Sequence, residues 1–425
     1  MLRLRLAIVV GRLAGRISQL LGRGGSALPG LVAERIDPRL IDRLAAGLPV
    51  VVVTGTNGKT TTTKLLVAML RAAGRRVISN PTGSNLERGV ATRLIEVARR
   101  GRVDADLAVF EIDEAAVRVL GPRLRPRMAV VTNLARDQLD RYGELDTTAA
   151  HIGAALAASG TAVLNADDPL VAGLAGTAGT DVFFGGADEV RAAMPDDRAL
   201  YGDERGTRPG PEPDLLVTSA APDGDGLRVG VSTGGGTRHL RLRLPGVYNA
   251  YNTAAALLAA RELGVDAGDA AGAAEAMVPA WGRGQVIDYR GRRVRLLLVK
   301  NPAGFNQAIR LLGDLERGTP VLISINDNIA DGRDVSWLWD ARVEDLAATG
   351  HRFSTSGIRA LDMAVRLKYA GIEATWAEPD PAAALERLVE GVPPGGTAYV
   401  VPTYTAMLDL LRLLLPDTHR REAWT

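Results

Sequence analysis

Runs of apolar, β-branched residues alternate with helix-favouring segments along most of the chain. Val50 to Val53 is followed, after a short turn, by a segment running to Leu70 whose apolar positions recur at helical spacing. The rhythm repeats in RRVIS (75 to 79), DLAVFEID (106 to 113), RMAVVTN (127 to 133), TAVLNAD (161 to 167) and DVFFGG (181 to 186). Continuous apolar strands between helices predict a mainly parallel, doubly wound α/β sheet. In such sheets ligands gather at the carboxyl ends of the strands.

The pattern then changes. Ala187 to Asp214 is polar and rich in Pro and Gly, which predicts a surface excursion. LLVTS, GLRVGVST and TRHLRLRLPG alternate in the manner of short antiparallel strands, and a helix is predicted over Asn249 to Leu263. Pro279, Gly282 and Gly284 mark a boundary, after which the strand-helix rhythm resumes as a second, smaller α/β domain. At the other end, residues 1 to 24 read as an amphipathic helix with arginines at 3, 5, 12, 16 and 23. Its apolar centre is too short for a transmembrane span. It is expected to pack on the body, with a membrane-surface helix as the alternative. The expected organisation is an N-terminal helical segment (1–44), a large domain (45–278) with a polar insertion (187–214), and a C-terminal domain (279–425). The cleft between the two domains is the default site.

Composition narrows the chemistry. A chain of 425 residues with 46% hydrophobic and 24% charged content is ordinary for a globular protein. A net charge of +2, with no basic run, argues against nucleic acid. There is no cysteine, so disulfides, thiolate metal sites and thiol catalysis by this chain are excluded, and no zinc is expected. His151, His239, His351 and His419 show no ligand spacing. Only four of the 51 basic residues are lysine: Lys59, Lys64, Lys300 and Lys368.

The first strand leads into Gly55-Thr56-Asn57-Gly58-Lys59-Thr60-Thr61. Glycines let backbone N–H groups converge on an anion, and the following helix dipole adds to them, which suits a polyphosphate such as ATP. Lys59 is expected to reach the outer phosphates and the Thr60 hydroxyl to ligate Mg²⁺. The full phosphate-loop pattern would place its first glycine where Val53 stands. Polar residues crowd the other strand ends: Asn80, Gly83, Ser84, Asn85 and Arg88; Glu111, Asp113 and Glu114; Asn133, Arg136, Asp137, Gln138 and Asp140. Glu111 is the first choice for Mg²⁺. For Asp113 and Glu114, helix capping is the equal alternative.

GTNGKTTT, Glu111, TNLARDQLDRYGE (132 to 144), LNADDP (164 to 169), YNAYNTAAA (248 to 256) and Gly282-Arg283 together resemble the Mur ligase superfamily over residues 45 to 425. The runs GSNLERG, EIDEAAV, RDQLDRYGE, KNPAGFNQ and NDNIADGRDVSWLWD narrow the resemblance to the MurT-type family, synthetase subunits of lipid II isoglutaminyl synthase. The resemblance implies a Mur ligase-like phosphate-loop domain plus a Rossmann-like C-terminal domain. It implies ATP- and Mg²⁺-dependent amidation of D-glutamate in the lipid II stem peptide, through an acyl phosphate, with ammonia from a separate GatD-like glutaminase subunit. It also implies a cytoplasmic location, with the inner face of the plasma membrane and a peripheral membrane contact left open.

Carried onto this sequence, the resemblance makes Lys59 and Glu111 catalytic, with Asp334 orienting the partner's His in trans. Asp327, Asp331 and Asp340 are its neighbouring alternatives. Asn249 or Asn252 would contact adenine, and Arg283 and Lys300 nucleotide or phosphate. The chain departs from the wider superfamily at several points. Gln138 replaces a His, no lysine between Lys64 and Lys300 can form the carbamate, Leu297 replaces a ribose-binding Asp, and the four-cysteine ribbon of many relatives is absent. A stand-alone Mur or folylpolyglutamate-type ligase and a non-catalytic nucleotide-binding regulator are the alternatives.

Overall fold

The structure, a computed structural model, describes residues 2–20, 27–81, 83–135, 145–194, 210–279 and 282–415. Three helices come first: α1 (Leu2–Leu20), α2 (Leu28–Ile36) and α3 (Leu40–Ala45). The chain continues as β1 (Val50–Thr54), α4 (Lys59–Ala72), β2 (Val77–Ser79), α5 (Glu87–Val97), β3 (Leu107–Glu111), α6 (Glu114–Leu124), β4 (Met128–Val131) and α7 (Leu145–Leu156). Then come β5 (Thr161–Asn165), β6 (Thr180–Gly186), β7 (Leu215–Asp223), β8 (Gly226–Thr233), β9 (Gly236–Leu242), α8 (Tyr248–Glu262) and α9 (Ala267–Ala276).

Among the described residues these nine strands form one sheet in the order β9-β8-β7-β6-β5-β4-β1-β3-β2. The strands from β2 across to β7 run parallel, and β8 and β9 extend the edge antiparallel. The alternation within β1 shows why both faces are covered. Val51 and Val53 join a core with Leu65, Leu66 and Met69 of α4 and Ala254 to Ala256 of α8. Val50 and Val52 join the opposite core with Leu40 and Ile41 of α3 and Leu94 of α5. A strand buried on both faces needs an unbroken apolar run, and β1 has one.

The second sheet is built from β10 (Arg283–Tyr289), β11 (Arg292–Leu297), β12 (Pro320–Ser324), β13 (Arg352–Ser356), β14 (Ala377–Glu378) and β15 (Thr397–Pro402), in the order β10-β11-β15-β12-β13-β14. Helices α10 (Pro302–Gly313), α11 (Ala360–Tyr369) and α12 (Pro381–Glu390) connect its strands, and α13 (Tyr404–Leu414) follows the last of them. Its two faces carry separate apolar cores, one around Phe305, Ile323 and Phe353, the other around Leu296, Leu322 and Leu410. Edge strand β10 pairs antiparallel with β11 and falls where the apolar pattern shows no strand, because Gln285 and Asp288 interrupt it.

Topology places the site. From β1 the chain crosses to β2 at one edge and returns through β3; it then passes to β4 on the other side of β1. The loops after β1 and β4 therefore meet at the switch point of the sheet, where ligands of such folds bind.

Candidate active site

The loop after β1 is held in a shape that only glycine permits at two positions. Gly55 and Gly58 have φ of +119° and +86°. A Cβ at Gly55 would stand 2.4 Å from Thr132 Oγ1, and one at Gly58 would stand 2.1 Å from Asn252 Oδ1. Between them the backbone is stitched to the strand end of β4. The Thr56 N–H donates to the Asn133 carbonyl at 2.8 Å, and the Asn57 N–H to Asn133 Oδ1 at 3.0 Å. The Asn57 carbonyl accepts from Thr132 Oγ1 at 2.7 Å and from Asn133 Nδ2 at 2.9 Å. The loop ends on the first turn of α4, where the N–H groups of a helix N-terminus favour an anion. Thr60 to Thr63 are poor helix formers, but all four are buried, so tertiary packing sets this helix start.

Lys59 lies across the base of the loop. Its ammonium donates to the carbonyls of Gly55 and Thr56 and sits 2.9 Å from Glu114 Oε2, with both side chains almost sealed from solvent. The two acids after Glu111 thus divide their roles. Asp113 caps α6 by accepting from the Ala115 N–H, whereas Glu114 is the counter-ion of Lys59. Sequence reasoning undervalued Glu114; the available signal was an acid at the first position of the helix that follows the strand-end carboxylate.

Glu111 stands opposite Val53 in the β1–β3 register, so its side chain emerges beside the loop. The Asn80 amide fixes that strand end, accepting from the Glu111 N–H at 2.9 Å and donating to its carbonyl at 2.8 Å. The buried Glu111 carboxylate makes no hydrogen bond or ion pair with a described side chain, but it acts electrostatically on Lys64. Burial and then Arg283 push the Lys64 ammonium below its ordinary value, and Glu111 opposes them. Lys64 was given no role from the sequence.

Two residues of the second sheet's segment reach the loop. Arg283 donates from Nη2 to Thr60 Oγ1 at 3.1 Å, and Asn301 donates from Nδ2 to Asn57 Oδ1 at 3.3 Å. Asn301 also caps α10 by accepting from the Gly304 N–H. Lys300, directly before it, is half-buried. Asn249 and Asn252 are buried in the first turns of α8. Asn252 Nδ2 donates to Asn249 Oδ1 at 3.0 Å, and Asn249 Nδ2 donates to the Pro245 carbonyl at 2.6 Å. Asn252 lies against Gly58, and Asn249 holds Asn252 in place.

Asp334 lies apart, on the loop that follows β12. It is exposed, and the backbone N–H of Ser336, at 2.8 Å, and the Ser336 hydroxyl hold its carboxyl below the usual carboxylate range. Its neighbours are engaged elsewhere. Asp327 pairs with Arg359 at 2.7 Å, and buried Asp331 accepts the Thr405 N–H at 2.7 Å together with the Thr405 hydroxyl. Arg136, Asp137, Gln138 and Asp140 lie outside the described residues, as does most of the excursion between Ala187 and Asp214.

No group of three or more His, Cys, Asp or Glu that could hold a metal occurs among the described residues. Thr60 and Glu111 remain as hard oxygen donors at the loop. Oxygen donors of this kind suit Mg²⁺, which keeps several waters and takes other ligands from substrate phosphates.

Comparison with known proteins agrees with this geometry. Residues 53–260 match the Mur ligase middle domain, and residues 298–407 match the MurT ligase C-terminal domain. Lipid II isoglutaminyl synthase (glutamine-hydrolyzing) subunit MurT of Streptococcus pneumoniae is 31% identical, over 97% of this chain and 98% of that protein. The chain belongs to the MurT family. A second MurT, from Staphylococcus aureus, is 29% identical over 96% of this chain and 97% of its own length. The fold of this MurT-family ligase is that of the Mur ligases. MurF from Acinetobacter baumannii superposes with a TM-score of 0.69 at 19% identity, covering 90% of this chain and 80% of that one. MurF from Thermotoga maritima in complex with ADP gives 0.69 at 16% identity, covering 92% and 84%.

Proposed function

We propose that this MurT-family ligase amidates the α-carboxylate of D-glutamate in the lipid II stem peptide to D-isoglutamine. A carboxylate oxygen attacks the γ-phosphorus of ATP and ADP leaves, giving an acyl phosphate. Ammonia then attacks the carbonyl carbon, the C–O bond to phosphate breaks with its electrons, and the nitrogen loses a proton. A free carboxylate is a poor acyl donor because its leaving group would be oxide, whereas phosphate departs as a stable anion.

The reaction class rests on one observation: the likeness to proteins named for this synthase runs nearly the whole length of the chain. The geometry supplies parts that such chemistry uses. Phosphoryl transfer needs positioning and charge neutralisation more than it needs an acid or a base. The backbone N–H groups of Gly58 to Thr61, at the α4 terminus, would cradle the phosphates, with Lys59 on the outer ones. Thr60 and Glu111 would hold Mg²⁺, which when bound screens the charge of the triphosphate. Arg283 and Lys300 would add positive charge from the 279–425 domain as it meets the 45–278 domain over the nucleotide. Asn249 and Asn252 would serve adenine recognition from behind the loop.

Free ammonia must be unprotonated to attack, and a glutaminase subunit would release it next to the acyl phosphate. Glutamine hydrolysis of this type uses a Cys nucleophile and a His oriented by an acid. With no cysteine in this chain the nucleophile belongs to the partner, and Asp334 would supply the orienting carboxylate. Its exposure, the Ser336 hydrogen bonds that favour its carboxylate form and the other engagements of Asp327 and Asp331 favour it over those neighbours. The experiment is amidation of lipid II by the chain and its glutaminase partner with glutamine, ATP and Mg²⁺, read by mass spectrometry. Product that depends on all components supports the reading; none, with both subunits folded, rejects it.

A further inference from the structure

The outer face of α1 is not used by the fold or by the reaction proposed above. The inner face packs on α2 and α5 through Leu4, Ala7 and Ile8, and through Gly11, where a Cβ would stand 3.0 Å from the Pro29 carbonyl oxygen. On the opposite side Leu2, Leu6, Val9, Leu13 and Ile17 are 85%, 55%, 63%, 54% and 48% exposed. They recur every three or four residues, so they form one stripe along the helix. Protein surfaces scatter such side chains singly, and a contiguous row of this kind marks an interaction surface.

The charges bordering the stripe say which kind. Helix α1 contains no acidic residue, and the first acid of the chain is Glu34. Arg3 and Arg12 serve the fold. They donate to the carbonyl of Ile36 at the end of α2 and to the carbonyls of Ile95, Glu96 and Ala98 at the end of α5, where helix dipoles favour a cation. Arg5 and Arg16 make no ion pair with a described residue, and their spacing sets them along one border of the stripe. A second copy of this face would bring the same positive border against itself. An anionic phospholipid surface satisfies both features at once: apolar side chains enter the headgroup and acyl boundary while arginines meet phosphates. Among the described residues no helix is long and apolar enough to cross a membrane, so the contact is one of lying on the surface.

We propose that α1 docks the protein on an anionic phospholipid surface, with Leu2, Leu6, Val9, Leu13 and Ile17 inserted and Arg5 and Arg16 on the headgroups. This inference comes from one helix face and does not depend on the amidation reading. A lipid-linked substrate would nevertheless be met more often by a protein held at the same surface.

The test is co-sedimentation of the full chain with phosphatidylcholine vesicles containing about 30 mol% phosphatidylglycerol, compared with phosphatidylcholine alone. These vesicles hold no lipid II and the assay no ATP, so the outcome is independent of catalysis. The wild type is expected to bind the anionic vesicles and to be released by high salt. The Leu6→Gln/Leu13→Gln variant, altered only at exposed positions, should bind about tenfold more weakly with an unchanged melting temperature. Arg5→Gln/Arg16→Gln should lose the preference for phosphatidylglycerol. The proposal is overturned if the wild type does not bind, or if Leu6→Gln/Leu13→Gln binds as well as the wild type. It is equally overturned if light scattering shows a dimer that this variant breaks while vesicle binding is unchanged.

Discussion

Arg283, the first residue of β10, donates to the hydroxyl of Thr60 at 3.1 Å across 223 positions of sequence. The contact ties the start of the second sheet to the first turn of α4, and it places a guanidinium beside a hydroxyl that is the candidate Mg²⁺ ligand. Replacing Arg283 with Gln removes both the charge and the fork geometry. The expected outcome is a fall of roughly 10- to 100-fold in kcat/KM for ATP, while the urea midpoint moves little. Arg283→Lys should recover only part of the activity, because an ammonium does not reproduce the planar donor.

The Lys59–Glu114 pair carries a second prediction. Removing one partner of a buried ion pair leaves the other charge uncompensated, at a typical cost of about 3–5 kcal/mol. Lys59 keeps its two carbonyl acceptors, so Glu114→Gln should fall at the lower end, read as a shift in the urea unfolding midpoint. The Lys59→Met/Glu114→Gln double variant should regain much of that stability while remaining inactive.

Asp331 gives the loop of Asp334 a pH dependence. Burial raises its carboxyl above the ordinary value of 3.8, and the bonds from Thr405 oppose that shift. The folded chain therefore holds a proton there that the unfolded chain releases. This stabilising contribution is complete below pH 3.8 and is lost as pH rises through the raised folded value. Urea midpoints measured from pH 3.8 upward should decline as pH passes through the raised folded value, and Asp331→Asn, which does not titrate, should flatten the slope.

Asp334 should separate the two half-reactions. In the assembled enzyme Asp334→Asn is expected to lower glutamine hydrolysis strongly, towards the roughly 10⁴-fold loss that follows when an orienting carboxylate is removed. Amidation driven by added ammonium salt should persist. Loss of both activities would instead assign Asp334 to the fold or to the synthetase site.

Much of this was legible in the sequence, for physical reasons. A doubly covered parallel strand must be apolar throughout, so Val50 to Val53 and its counterparts announce themselves, and the glycines announce the turn that follows. The place of Glu111 at a strand end was legible in the same way. What escaped depended on which elements become neighbours in space. Glu114 meets Lys59 only because α6 starts beside the loop, and Asn252 braces Gly58 only because α8 crosses behind it. The apolar content of α1 was plain from its spacing, but with large apolar residues on both faces the sequence could not say which face turns outward. Strand β10 stayed hidden because an edge strand can carry polar residues on its exposed side.

The most direct test follows oxygen. Lipid II labelled with ¹⁸O in the α-carboxylate of D-glutamate is converted by the chain and its glutaminase partner, and the released phosphate is examined by mass spectrometry. An acyl phosphate route predicts one labelled oxygen in each phosphate formed with product, and none released by Lys59→Ala. Amidated product accompanied by unlabelled phosphate, or formed equally well by Lys59→Ala, would contradict the account.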